Sequence, residues 1–124
     1  MVFYIDVPWL LDVQEQAVPE DVSVADYSAL VAAVARHKTR IPRPTTAEPD
    51  PAWRAAALLH TLVRLQPLPH RNSLYACQVT VAYMHASGEG IDAPYGALVE
   101  LVRDIQAAKA TVYQAADRIR GWRI

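Results

Sequence analysis

The densest run of side chains able to do chemistry is His70-Arg71-Asn72. It lies in Gln66-Pro-Leu-Pro-His-Arg-Asn-Ser-Leu-Tyr75, a proline-punctuated stretch between two alanine-rich segments. An imidazole can move a proton near neutral pH, and a neighbouring guanidinium can hold an oxyanion. His70 is therefore a candidate acid or base. Arg71, Asn72 and Arg64 are candidate anion- or ligand-binding groups. A plainer reading makes the run a solvated loop with Asn72 as the cap of the next helix, and that reading is favoured. Other reactive side chains are scattered. His60 and His85 fall on helical segments among apolar neighbours. The four histidines include no Cys/His pair at i, i+4 and no carboxylate among them, so no metal site is expected. Cys77 has no basic neighbour in sequence and reads as a small core residue, not a nucleophile.

These side chains need a scaffold, and the composition bounds it. A chain of 124 residues can bury one core, so residues 1–124 read as a single domain. The formal net charge of -1 argues against a nucleic-acid partner or an anionic membrane. A lone cysteine excludes an internal disulfide and suits a reducing compartment. Met1–Trp9 lacks the basic and long apolar stretches of a secretion signal. No run reaches the roughly 18 apolar residues of a membrane span. A cytoplasmic protein is expected.

The periodicities predict an all-α fold of about six helices. Residues 2–7 alternate in part and suggest a short strand or hairpin. Pro8 suits a first helical turn capped by Asp6, with Trp9, Leu10, Val13 and Ala17 as its stripe. A second helix is predicted over about Val24 to His37. Asp26 lies at its start, and Leu30, Val31, Val34 and Ala35 form its apolar face. Arg36-His-Lys-Thr-Arg40 puts positive charge at its end, where the helix dipole favours it. Four prolines between 41 and 51 make a loop. Asp50 and Pro51 then start a helix to about Leu65. It is apolar around most of its circumference, so it should be central. The next is capped by Asn72 or Ser73 and ends near Ser87, before Gly88. Helices over Ala93–Ala108 and Thr111–Gly121 complete the set. Trp9, Trp53 and Trp122 sit near helix ends as core or staple residues; Trp122 is also a candidate partner anchor.

The helix–loop–helix around residue 70 resembles the core of the Fic/Doc family, in its short Doc form. Members transfer phosphate or nucleotidyl groups to proteins. Ala55-Ala-Ala-Leu-Leu-His-Thr-Leu62 looks like the helix before the family's loop, and Tyr75 to Gly88 like the helix after it. Ala25-Asp-Tyr-Ser-Ala-Leu-Val-Ala-Ala-Val-Ala35 and Leu98-Val-Glu-Leu-Val102 resemble an upstream and a downstream helix. The family loop reads His-Pro-Phe-x-[Asp/Glu]-Gly-Asn-Gly/Lys-Arg. Laid on it without gaps, this chain matches at Pro67 and Asn72, and Leu68 keeps an apolar anchor in place of Phe.

The departures from that pattern govern the expected function. The family's His is the general base, and Gln66 has no useful proton affinity. The family's acid binds the metal, and His70 is a poor ligand for a hard ion. The Gly admits an anion to the helix N-terminus, where Arg71 adds a side chain. The terminal Arg clamps phosphate, and Leu74 has no donor. The resemblance thus implies a degenerate member without the ancestral reaction or a cofactor. It would act by protein binding in a toxin–antitoxin or related regulatory pair. The flap that pairs with a partner peptide in the family corresponds here to Arg36–Arg43 and the proline-rich loop. A second reading is an active toxin with a rewired site, using ATP and magnesium, with His70 as base and Arg71, Asn72 and Arg64 on the phosphates. A third is a helical interaction module or homodimer unrelated to toxins.

Overall fold

A computed structural model of the chain describes residues 3–39 and 50–124. Among these residues six α-helices follow in order: α1 (Val7–Ala17), α2 (Tyr27–His37), α3 (Pro51–Leu65), α4 (Asn72–Ala86), α5 (Ala97–Gln106) and α6 (Val112–Trp122). The class is all-α. The extended pairing among them is one isolated antiparallel bridge, Ile91 to Arg123. The expected N-terminal strand does not form over Phe3–Asp6, because helix side chains satisfy its backbone in place of a second strand. The Ile5 N–H donates to His37 Nε2 at 3.2 Å, and the Tyr83 hydroxyl donates to the Phe3 carbonyl at 2.9 Å. The Phe3 ring stacks on Tyr83 with centroids 5.9 Å apart.

Short-range signals set most helix starts. The Asp6 side chain accepts from the Trp9 N–H, and Asp50 from the Trp53 N–H, each with a proline in the first turn behind it. Asp26 accepts from the Ser28 N–H. Thr111 and Gln114 form a reciprocal capping box on α6. At the end of α4, Gly88 takes φ +82°, and the Glu89 N–H reaches back to the Met84 carbonyl. That is the left-handed C-terminal motif glycine supports best.

Tertiary packing decides the rest. α3 runs through the middle, packed most extensively on α6, then on α4, α2 and α5. Every residue from Ala52 to Leu59 on it is buried, as its all-round apolar surface requires. All six helices feed one hydrophobic core. The buried side of α2 differs from the expected face. Ala29, Leu30, Ala33 and His37 are buried, whereas Val31 is 57% exposed and Ala35 is exposed. The crossing with α3 selects small residues for close approach and leaves a valine in solvent. α5 starts at Ala97, not Ala93. Pro94-Tyr-Gly96 makes a turn first, with Ala97 N–H to the Pro94 carbonyl at 2.9 Å and Gly96 at φ +81°. No helix among the described residues is long and apolar enough to cross a membrane.

Candidate functional site

The turn between α3 and α4 is closed by Gln66, Pro67, Leu68 and Asn72. Gln66 ends α3 in the left-handed region at φ +50°, with its N–H on the Leu62 carbonyl at 3.0 Å. Pro67 and Leu68 are buried. The Pro67 carbonyl accepts the Ala25 and Asp26 N–H groups at 2.8 and 3.0 Å, which pins the turn to the start of α2. Asn72 is not the cap of α4. Arg71 holds that place at φ +61° without a side-chain cap, and Asn72 is the first helical residue. Its amide instead faces Leu68 twice: Oδ1 accepts the Leu68 N–H at 2.9 Å, and Nδ2 donates to the Leu68 carbonyl at 3.0 Å. The left-handed Arg71 turns the chain so that this amide points back across the loop.

His70 and Arg71 point outward, and each meets an acid from the α1–α2 connection. His70 Nε2 lies 3.1 Å from Asp21, and Arg71 Nη1 lies 2.6 Å from Glu20. Hydrogen bonds from Ser23, and then from His70, hold the Asp21 carboxyl below its usual range. The Glu20 carboxyl is lowered by its own backbone N–H and then by Arg71. Both His70 and Arg71 are more than half exposed, so these contacts are screened by water. Leu74 turns toward α5, where it lines an apolar groove with Cys77, Val99 and Val102. The Cys77 thiol is half-buried there, and desolvation pushes its pKa up to about 11.

Arg64 does not join His70, Arg71 and Asn72. It opens into a separate cleft of about 400 Å³ between α2, α3 and the α5–α6 turn. Its Nη1 donates to the Ile105 carbonyl at 3.4 Å. Arg36 enters the same cleft from α2, with Nη1 at 2.9 Å from His60 Nδ1 and 3.3 Å from Thr61 Oγ1. A guanidinium cannot accept a hydrogen bond, so His60 Nδ1 is the acceptor and the ring proton sits on Nε2. Desolvation, then Arg36 and Arg64, lower the His60 pKa to about 4, and the ring is neutral at pH 7. Burial also lowers the pKa of Arg36. The pairing of His60 and Arg64 on one face was present in the sequence as an i, i+4 relation. Their convergence with Arg36 depends on the α2–α3 crossing, which no local pattern encodes.

Two further polar residues escaped sequence reasoning. Arg54 is fully buried. Its Nη1 donates to the His37 carbonyl at 2.8 Å, and its guanidinium lies 4.8 Å from the Tyr4 ring centroid. His37 is equally buried, edge-on to Tyr83 at 4.9 Å, and its pKa falls to about 4, chiefly through desolvation. His37 therefore brings no positive charge to the end of α2 at neutral pH. His85 is exposed, and Trp122 is half-buried against the core. Most of the proposed flap, residues 40–43 with the proline-rich loop to 49, lies outside the described residues. Among the described residues no group of three or more His, Cys, Asp or Glu side chains could hold a metal ion. No family model matches the sequence, and no curated protein matches it either.

Proposed function

We propose that this chain is a Fic/Doc-type protein that no longer transfers phosphate or nucleotidyl groups and acts by binding another protein. Its partner is an antitoxin-like segment or a regulated target. One observation carries the reading. In the turn between α3 and α4, the pattern-matching Pro67 and Asn72, with Leu68 as the apolar anchor in place of Phe, fix the backbone, while the positions that do chemistry in the family carry other groups. Gln66 is an amide, Leu74 is an alkyl chain, and His70 and Arg71 already face Asp21 and Glu20. Without a general base, a metal-binding carboxylate and a phosphate clamp, a phosphoryl transition state gets no stabilisation at this turn. The side-by-side packing of α3 and α4 around the turn supports the same reading, because that is the framework the resemblance implies.

Calorimetric titration with magnesium and ATP tests it. No saturable heat is expected. Metal-dependent ATP binding that is lost on Asn72→Ala overturns the reading. Any growth defect caused by expressing the chain should persist unchanged in His70→Ala, since a binding function needs no base at that position. Loss of the defect in a folded His70→Ala protein returns the site to catalysis.

A further inference from the structure

We infer that the cleft between α2, α3 and the start of α6 binds a small organic phosphate, independently of the turn at 66–71. The cleft measures about 400 Å³, within the range of small-molecule sites. Two guanidiniums reach it from different helices, Arg36 and Arg64. Arg36 uses Nη1 for His60 and Thr61, and its Nε and Nη2 are further donors at this wall, beside Tyr113. Arg64 makes one long bond, to the Ile105 carbonyl. His60 adds the Nε2–H of its neutral ring. The first turn of α6 lies on the wall at Thr111 and Val112, and its N-terminal dipole adds partial positive charge.

The charge balance singles this cleft out. Among the described residues no carboxylate lines it and neither arginine has an ion pair there. Elsewhere in the chain Arg71, Arg118 and Arg120 each meet an acid, Glu20, Asp104 and Asp50 respectively. Arg36 is half-buried and Arg64 exposed, and both open on the same cleft beside His60, so an anion seated there meets both charges. A phosphate monoester supplies two charges and three acceptor oxygens, which matches two guanidiniums and an imidazole N–H. A single carboxylate would leave one cation unmatched. The remaining wall, Ile105, Ala108, Ala110 and Val112 with Tyr113, is mostly apolar and suits the organic part of such an ester.

The test is an NMR-detected titration of the full chain with phenyl phosphate, inorganic phosphate and benzoate, near neutral pH and without metal. Phenyl phosphate should shift the Arg36, Arg64 and His60 side-chain resonances saturably. Inorganic phosphate should bind at the same place more weakly, and benzoate at least about tenfold more weakly than phenyl phosphate. Arg64→Gln should weaken phenyl phosphate at least about tenfold, and Arg71→Gln should leave it unchanged. Arg64 is exposed, so its variant keeps the fold and carries the test even where Arg36→Gln does not. No shift at these side chains, equal binding of benzoate, or undiminished binding in Arg64→Gln overturns the inference. Magnesium-dependent ATP binding that shifts the 66–71 turn instead would overturn the functional reading and leave this one standing.

Discussion

The turn between α3 and α4 and the cleft beside α3 hold the same kinds of side chain in opposite electrostatic states. At the turn, His70 and Arg71 are solvent-exposed and face Asp21 and Glu20. In the cleft, Arg36 and His60 are half-buried, Arg64 stands with them, and no acid among the described residues answers them. Arg54, further along α3, is fully buried with a carbonyl and an aromatic face for company. Water screens the contacts at the turn, so their pairing costs little and contributes little. Cations that have left water need neutral acceptors or a ligand to offset desolvation. The part of the sequence richest in polar residues is thus electrostatically quiet, and the charge imbalance lies in helices that look unremarkable one at a time.

Replacing cations along this series should give falling effects. Arg54→Ala should be the most damaging, lowering unfolding free energy by about 3 kcal/mol or more, since it empties a fully buried site and strands the His37 carbonyl. Urea denaturation reads this directly, and Arg54→Met should recover part of the loss by refilling the space. A change below 1 kcal/mol, about the worth of one ordinary hydrogen bond, would remove Arg54 from the core argument.

Acid should produce the next largest effect. The His37 pKa is 6.5 in the unfolded reference and about 4 in the fold, so between these values the unfolded chain binds more protons. The stability from neutral His37 is complete above pH 6.5 and is lost as pH falls toward 4. It amounts to on the order of 3 kcal/mol. Chemical denaturation across that window should show the loss, and His37→Gln should flatten the slope. His60, lowered in the same direction, should add to it. A pH-independent midpoint above pH 4 would contradict both assignments.

Asn72→Ala comes third, because it deletes two hydrogen bonds to Leu68 and should cost about 1–2 kcal/mol. Hydrogen exchange at the Leu68 amide should accelerate in this variant. The smallest effects belong to the exposed pairs at the turn. His70→Ala and Arg71→Gln should leave the thermal midpoint within error, and added salt should not alter that result. A marked loss of stability in either would mean the contacts with the α1–α2 connection are structural.

Local chemistry made much of the fold legible. Asp6, Asp26, Asp50 and Thr111 announce helix starts because capping acts over three residues. Pro67 and Gly88 mark ends for equally local reasons. The start of α4 was misplaced by a residue, because a left-handed Arg71 has no composition signal and Asn72 looks like a cap from sequence alone. The face of α2 was misjudged because Val31 is more apolar than the alanines that α3 in fact accepts. The neutral, buried state of His37 follows from aromatic partners at Tyr4 and Tyr83, far away in the chain. Arg64, a ligand candidate in the sequence beside His70, Arg71 and Asn72, stands instead in the cleft with Arg36 and His60, since its position depends on how three helices meet.

The depressed acidity of Cys77 gives the molecule a built-in clock. With its pKa near 11 almost no thiolate exists at neutral pH, and the sulfur is half-covered by the α4–α5 contact. A thiol-reactive dye should therefore label this residue slowly at neutral pH, and any loosening of the α4–α5 contact that lets water reach the sulfur should speed it, so labelling time at a fixed dye concentration reports local opening.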